Sequence, residues 1–372
     1  MKIQLYMCGE GLGHTSRCLA LGKELLNAGH ELTFHAYGSS KSHIEKNGYP
    51  AIEIPSEIKL IGKAGSLDIN ESMKASITDM EPLGLPKVIN QVREGRPDML
   101  ISDSYFLAII AAKLQGVPAY LIANQTNTYK FFENRGVSAE LAGKLLRHFM
   151  DAVFNNVQKV IIPDFPPPWT ICKSNVEELG EILNYSGPLV MNKPEDVKAA
   201  ELARPHVLSL VGGFGYREKL LVNLLEVARE NPKLNFTMLA GPNVNPEKLK
   251  NHPKNVTVID YLPNIASYLK STDVVIAPGG HSTMMECMTY GVPLISFPDM
   301  NHSEQANNAE QLDILNVGRR LSYHTPAFMI SDAIKELLDD SAVRKNCQRL
   351  KEYAKRLDGA KNIKKLIEDK GK

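Results

Sequence analysis

Val274-Val-Ile-Ala-Pro-Gly-Gly-His-Ser-Thr-Met-Met-Glu-Cys-Met-Thr-Tyr-Gly-Val-Pro-Leu-Ile-Ser-Phe-Pro298 is the stretch around which the chain is organised. Asp273 to Ala277 is a β-branched run halted by Pro278, the pattern of a buried strand that ends in a turn. Gly279 and Gly280 permit a sharp turn, after which Ser282 or Thr283 is expected to cap a helix carrying Met284, Glu286, Cys287 and Met288. Gly291 and Pro293 end that helix before a second strand, Leu294 to Phe297. A helix start bared by glycines presents N–H groups and partial positive charge, which suits a phosphate or diphosphate. One turn into the helix, the Glu286 carboxylate can accept hydrogen bonds from ribose hydroxyls. An ordinary strand–turn–helix–strand connection shares this pattern, so the stretch alone leaves ligand site and plain scaffold equally open.

The wider combination decides more. Gly280-x-x-Thr283-x-x-Glu286, Gly291-x-Pro293 and Glu304-Gln305-x-x-Asn308-Ala309 together resemble the donor-sugar site of GT-B glycosyltransferases. The resemblance is to family 28 and the UDP-glucuronosyltransferase-like group, which includes the UDP-N-acetylglucosamine transferases of peptidoglycan synthesis. It implies an α/β chain of two Rossmann-like domains with parallel sheets facing across a cleft. It also implies that Gly280, His281, Ser282 and Thr283 bind the donor diphosphate, Glu286 the ribose, and Glu304, Gln305 and Asn308 the sugar hydroxyls.

A chain of 372 residues fits two domains of ordinary size. Its 43 basic and 42 acidic residues balance, which argues against bulk electrostatic binding of nucleic acid. The five cysteines, Cys8, Cys18, Cys172, Cys287 and Cys347, are scattered and lack C-x-x-C spacing, so neither a disulfide framework nor a zinc site is expected. A cytoplasmic location, free or at the inner face of the membrane, is the expectation. The first residues are too short an apolar run for a signal peptide, and no stretch approaches the roughly 20 apolar residues of a membrane helix.

At the N-terminus, Ile3 to Cys8 reads as a strand, Gly9-Glu-Gly-Leu-Gly-His-Thr-Ser-Arg17 as a glycine loop, Cys18 to Ala28 as a helix, and Glu31 to Ala36 as the next strand. A dinucleotide fingerprint does not fit, because the third glycine is one residue early and no acid ends the second strand. The loop with Gly11, Gly13 and His14 resembles the Gly-x-Gly-x-Gly-His loop of the same transferases, which puts the histidine beside the acceptor. An imidazole, with an ordinary pKa of about 6.5, can take a proton from a hydroxyl at neutral pH. Asp103, ending the run Met99 to Ser102, is the candidate partner that fixes its tautomer; capping a helix from Ser104 to Leu114 is the equal alternative. Asn124-Gln125-Thr126-Asn127 ends another strand at the ligand-facing edge of the sheet, where its amides are expected to touch the acceptor. The unpatterned residues 58 to 86 read as an acceptor loop or a mobile insertion. From Ser138 to Val157, Leu141, Leu145, Phe149, Val153 and Val157 recur at helical spacing near Lys144, Arg147 and His148. That stripe is either core or a peripheral membrane contact.

The first domain is read as residues 1–186, with 165–186 as the proline-rich connection, the second as 187–350, and 351–372 as a helix crossing back to the first. Leu189-Val-Met191 follows Gly187-Pro188 where related transferases often carry an arginine, so diphosphate charge falls to Arg217 or the helix dipole. Gly212-Gly-Phe-Gly215 resembles the family's second glycine loop against the donor, and Tyr261-Leu262 occupies the place where relatives meet the uracil. No Asp-x-Asp occurs, so neither a metal nor a cofactor is expected beyond a UDP-sugar acting as donor substrate. Together these features lead to an inverting, metal-independent transferase moving a hexose-type sugar to a hydroxyl acceptor on a lipid, glycan or small metabolite. The alternatives are a UDP-sugar hydrolase of the nonulosonic-acid type, suggested by the opening Gly-Leu-Gly-His-x-x-Arg-Cys-Leu-Ala-Leu, and a non-catalytic nucleotide-sugar-binding subunit.

Overall fold

The computed structural model describes all residues except 10, 58–60, 64, 68–70, 73–83, 134–135, 212–216, 242–243, 263 and 371–372. The chain divides into two compact units, one made of Met1–Leu60, Ile69–Met191 and Leu357–Lys372, the other of Ile61–Asp68 and Asn192–Arg356. Strands and helices alternate from the start: β1 (Lys2–Met7), α1 (Leu12–Asn27), β2 (Glu31–Ala36), α2 (Gly38–Lys46) and β3 (Ala51–Glu53). Then come a short hairpin of β4 (Gly62–Lys63) and β5 (Ser66–Leu67), α3 (Gly84–Gly95), β6 (Met99–Asp103), α4 (Phe106–Gln115), β7 (Ala119–Ile122), α5 (Val137–Phe154), β8 (Lys159–Ile162) and β9 (Leu183–Tyr185). The sheet of the first unit runs β3-β2-β1-β6-β7-β8-β9, with every neighbouring pair parallel.

Strands of such a sheet are buried on both faces, which is why β1, β6 and β7 read as nearly continuous apolar runs. On one face Val88 and Val92 of α3, Ala108, Ile109, Ala111 and Ala112 of α4, and Met150, Val153 and Phe154 of α5 form a core. The other face is covered by Leu19, Leu21 and Leu25 of α1 with Ile44 of α2. Ile363 and Ile367 of the last helix join that second cluster and are fully buried. Lys364 Nζ reaches Glu24 Oε1 at 2.8 Å, and His30 Nε2 lies 2.9 Å from Glu368 Oε1.

The second unit continues with β10 (His206–Ser209), α6 (Glu218–Glu230), β11 (Asn235–Leu239), β12 (Val256–Ile259), α7 (Ala266–Leu269), β13 (Val274–Ala277), α8 (His281–Tyr290), β14 (Leu294–Ser296), α9 (Ser303–Ile314) and β15 (Gly318–Arg320). It closes with α10 (Ala327–Asp339) and α11 (Ser341–Arg356), while α12 (Gly359–Lys370) belongs to the first unit. Its sheet order is β12-β11-β10-β13-β14-β15, again wholly parallel. Both sheets are therefore doubly wound and Rossmann-like, as expected. In each, the chain winds one way from a first strand and the other way from its neighbour, β1 beside β6 and β10 beside β13. That reversal opens a crevice past the carboxyl ends of the paired strands, where ligands bind in such folds.

Two local expectations, the starts of α1 and α8, need correction, and two readings that the sequence left open are resolved. The first helix begins at Leu12 instead of Cys18, because Gly11 at φ +84° completes the turn by itself; His14 is thus helical. Asp103 does not cap the helix that follows it. That helix starts at Phe106, and the Glu57 carboxylate accepts from the Phe106 and Leu107 N–H groups at 2.9 and 2.5 Å. Neither Ser282 nor Thr283 caps α8, which starts at His281 with Gly280 as its N-cap and no side-chain cap. The apolar stripe of α5 divides: Val153 is buried in the core, Phe149 packs against it, and Leu141 and Leu145 are exposed together with Val137. Most of the expected loop 58–86 lies outside the described residues, apart from the hairpin, Glu71, Ser72 and the start of α3.

Candidate active site

In the first unit the site is built on three adjacent strands. Met7 pairs in register with Asp103, and Asp103 with Ile122, so the carboxyl ends of β1, β6 and β7 lie side by side. Gly11 and Gly13 bring the chain from β1 into α1, placing His14 in the first turn; Asn124 and Gln125 follow β7. His14 Nδ1 lies 2.7 Å from Asp103 Oδ1; the histidine side chain is 23% exposed and the carboxylate fully buried. Arg17 Nη2 also lies 2.8 Å from Nδ1, but that guanidinium nitrogen already donates to Asp103 Oδ1; the shorter contact of Nδ1 is to the carboxylate, which can only accept, and it assigns the proton to Nδ1 and leaves the basic lone pair on Nε2.

Arg17, one helical turn after His14, completes the cluster. Its Nε and Nη2 fork the two oxygens of Asp103, and its Nη1 donates to Asn124 Oδ1 at 3.1 Å. Burial alone would raise the Asp103 carboxyl, but Arg17 first and His14 second outweigh it and hold the group well below the usual carboxylate range. The Cys18 Sγ also reaches Asp103 Oδ2, at 3.4 Å. Sequence reasoning gave Arg17 no role. The available signal was its spacing of three from His14, which puts both side chains on one helix face. Asn124 is bound to Arg17, and Asn127 donates to the Ser174 carbonyl at 2.9 Å, so these two amides also hold their own loop.

In the second unit, Gly280, His281, Ser282, Thr283 and Glu286 lie on the turn after β13 and the first turns of α8. Gly279 sits at φ +131°, and a Cβ there would come within 3.1 Å of the Gln305 carbonyl and 3.0 Å of Ser296 Oγ, so α8 and α9 start close together. Asn308 Nδ2 ties them, donating to the Gly279 carbonyl and to Glu304 Oε1, both at 3.2 Å. A Cβ on Gly280, by contrast, would meet open space. Glu286 has no hydrogen-bond partner among the described residues, and burial raises its carboxyl to about 7.

Gln305 is nearly buried, and its amide is bound at both ends to Asp299. Arg217, expected as a candidate for diphosphate charge, instead forks the Asp299 carboxylate with Nε, at 2.7 Å, and Nη2. Its charge is already matched by a buried partner. Tyr261, which is exposed, and Leu262 follow β12 at the same edge of the sheet. Gly212, Gly213, Phe214 and Gly215 lie outside the described residues.

Residues 208–367 match the model of the glycosyltransferase family 28 C-terminal domain. An uncharacterised glycosyltransferase of Methanosarcina acetivorans is 51% identical over 99% of this chain and 98% of its own length. The NDP-glycosyltransferase YjiC of Bacillus licheniformis is 24% identical over 96% of this chain and 94% of its own. Among solved structures, the glycosyltransferase of kitacinnamycin superposes with a TM-score of 0.75 at 21% identity, covering 99% of this chain and 98% of that one. Spinosyn rhamnosyltransferase SpnG, complexed with thymidine diphosphate, does so with a TM-score of 0.72 at 16% identity, over 99% and 100%. The chain belongs to the glycosyltransferases, as an enzyme of GT-B fold and family 28 type.

Proposed function

We propose that this enzyme transfers a hexose-type sugar from a UDP-sugar to a hydroxyl acceptor, with inversion and without a metal. The observation that carries the reading is the His14–Asp103 pair at 2.7 Å, which leaves Nε2 as the base. Nε2 takes the acceptor's hydroxyl proton as the oxygen attacks the anomeric carbon. The bond from that carbon to the diphosphate breaks on the opposite face, so one displacement inverts the centre and releases UDP. The uncapped start of α8, with open space beside Gly280, suits the leaving diphosphate and lets helix N–H groups meet its charge. Glu286 favours a ribonucleotide, since one carboxylate engages two ribose hydroxyls and loses a partner with deoxyribose; SpnG, by contrast, is complexed with thymidine diphosphate.

For the acceptor, Tyr129, Phe132, Glu133, Glu140, Gly143, Lys144 and Arg147 line a cavity of about 340 Å³ in the first unit. The exposed Val137, Leu141 and Leu145, beside Lys144 and His148, support a peripheral contact with an anionic membrane, and with it a lipid-linked acceptor. Among the described residues no helix is long and apolar enough to cross a membrane.

The test is calorimetry with UDP, dTDP, GDP and CMP sugars in EDTA, followed by transfer assays in which the anomeric configuration of the product is read by NMR. Binding of UDP-sugars without metal and a product of inverted configuration are expected. Binding that requires Mg²⁺ or Mn²⁺, retention of configuration, or release of free sugar as fast as transfer overturns the reading. Sedimentation with phosphatidylglycerol vesicles tests the membrane contact, which Leu141→Glu with Leu145→Glu should abolish.

A further inference from the structure

Gln305, which the resemblance assigns to the donor-sugar hydroxyls, is the residue whose surroundings go furthest beyond the UDP-sugar reading above, and this inference rests on both. Its Oε1 accepts from the Asp299 N–H at 2.9 Å, and its Nε2 donates to Asp299 Oδ2 at 3.1 Å. Asp299 is 3% exposed and is forked by Arg217, itself 7% exposed and the residue immediately before α6. A buried ion pair is poor value as a stabiliser, because well-packed apolar residues in its place are often neutral or better. What this pair does accomplish is orientation.

The two ends of a glutamine amide are nearly isosteric, and only their partners decide which end donates. The Asp299 carboxylate accepts and its N–H donates, so Gln305 has one permitted orientation. The Arg217 fork fixes the Asp299 carboxylate in place. Among the described residues this leaves Gln305 with one N–H and one Oε1 lone pair in set positions. The segment is also gripped from the hairpin, with Met300 N–H donating to the Gly65 carbonyl and Asn301 Nδ2 to Ser66 Oγ, both at 2.9 Å.

We propose that Arg217 and Asp299 are positioning residues that set which donor-sugar hydroxyls the enzyme accepts, by locking the Gln305 amide. A sugar hydroxyl then meets a fixed donor and acceptor, and an epimer misaligned with them loses a bond.

The test measures UDP, UDP-glucose, UDP-galactose and UDP-N-acetylglucosamine binding to wild type, Asp299→Asn, Arg217→Lys, Gln305→Ala and the Asp299→Asn/Gln305→Ala pair, each checked for folding by circular dichroism. Asp299→Asn is expected to keep UDP affinity within about threefold while the preference for the best UDP-sugar over its epimers falls about tenfold, the worth of one net hydrogen bond. Gln305→Ala should lose the same preference and the double variant no more. Arg217→Lys, which keeps the charge but not the fork, should show a partial loss and covers the case in which Asp299→Asn does not fold. Equal weakening of UDP and UDP-sugars, or an epimer ratio that responds to Gln305→Ala but to neither positioning variant, overturns the proposal while leaving the donor assignment intact. Wild-type protein that binds no UDP-sugar overturns both, and this outcome is distinguishable because it appears before any substitution.

Discussion

Helices α1 and α8 both follow a switch-point strand through glycines, yet the polar side chains they carry are paired in different ways. At α1 the polar groups satisfy one another: Asp103 takes His14 and both arms of Arg17, and Arg17 also holds Asn124. Both helices start at a glycine with no side-chain cap and open space where a Cβ would stand, but at α8 the Glu286 carboxylate has no hydrogen-bond donor among the described residues and burial raises it to about 7. A base must be oriented before its substrate arrives, so its network is closed in advance. A site that binds a polyhydroxyl, anionic ligand gains from groups whose partners only the ligand supplies. The comparison assigns a rate effect to damage at α1 and an affinity effect to damage at α8.

The sharpest way to break it is His14→Ala. Transfer should fall by about 10²–10⁴-fold, the usual contribution of a positioned acid–base group, while UDP affinity stays nearly intact. Single-turnover transfer paired with UDP titration reads both, and Asp103→Asn should lower the rate by a smaller factor. Full turnover in His14→Ala would leave α1 without a catalytic role.

Next in size is Arg17→Met. It strands the buried Asp103 carboxylate, so stability should fall by about 3–5 kcal/mol, as for a buried pair stripped of one partner. Urea denaturation at pH 7 checks this, and a loss below about 1 kcal/mol would mean that His14 alone satisfies Asp103.

At α8 the comparison sharpens through pH. Ribose hydroxyls favour the ionised Glu286, whose carboxyl sits near 7 in the free protein, so UDP affinity should be about tenfold weaker at pH 6 than at pH 8, with proton release on binding. Without ligand the sign is opposite: the folded state holds the proton more tightly than the unfolded one, so stability declines as pH rises from about 4.3 to about 7. Glu286→Gln should flatten both profiles, and a pH-independent wild-type affinity would remove the carboxylate from the nucleotide site.

The smallest effect comes from outside both sites. His35 is fully buried, stacks on Tyr6 at 4.1 Å, has no partner for either ring nitrogen among the described residues, and is pushed by burial down to about 3. The unfolded chain binds a proton there below about 6.5 and the folded one does not, so stability should drop as pH falls from about 6.5 to about 3. His35→Phe should raise stability by about 1 kcal/mol at pH 7, and by about 2 kcal/mol more at pH 5. Thermal unfolding of the two proteins at both pH values measures it, and parallel pH curves would mean that His35 is not neutral in the fold.

The sequence by itself determined the class of fold and the family. Each strand–glycine–helix unit is contiguous, so apolar runs, Pro278, Gly291 and the spacing from Gly280 to Asn308 reveal it without reference to the rest of the chain. What only the tertiary structure decided is which distant polar groups meet. Asp103 reads as a strand-ending acid, but its bonds to Arg17 and the link onward to Asn124 exist because β1, β6 and β7 are neighbours, an order that local periodicity does not encode. Arg217 reads as a free cation after a glycine loop until Asp299, 82 residues away, is found in its fork. Helix starts also shifted, from Cys18 to Leu12 and from a serine or threonine cap to Gly280, because glycine backbone angles and the open space beside Gly280 set them. A hydrogen bond depends on distances of a few tenths of an ångström between elements, and those distances are fixed by sheet order and packing instead of by any residue's own neighbours in the chain.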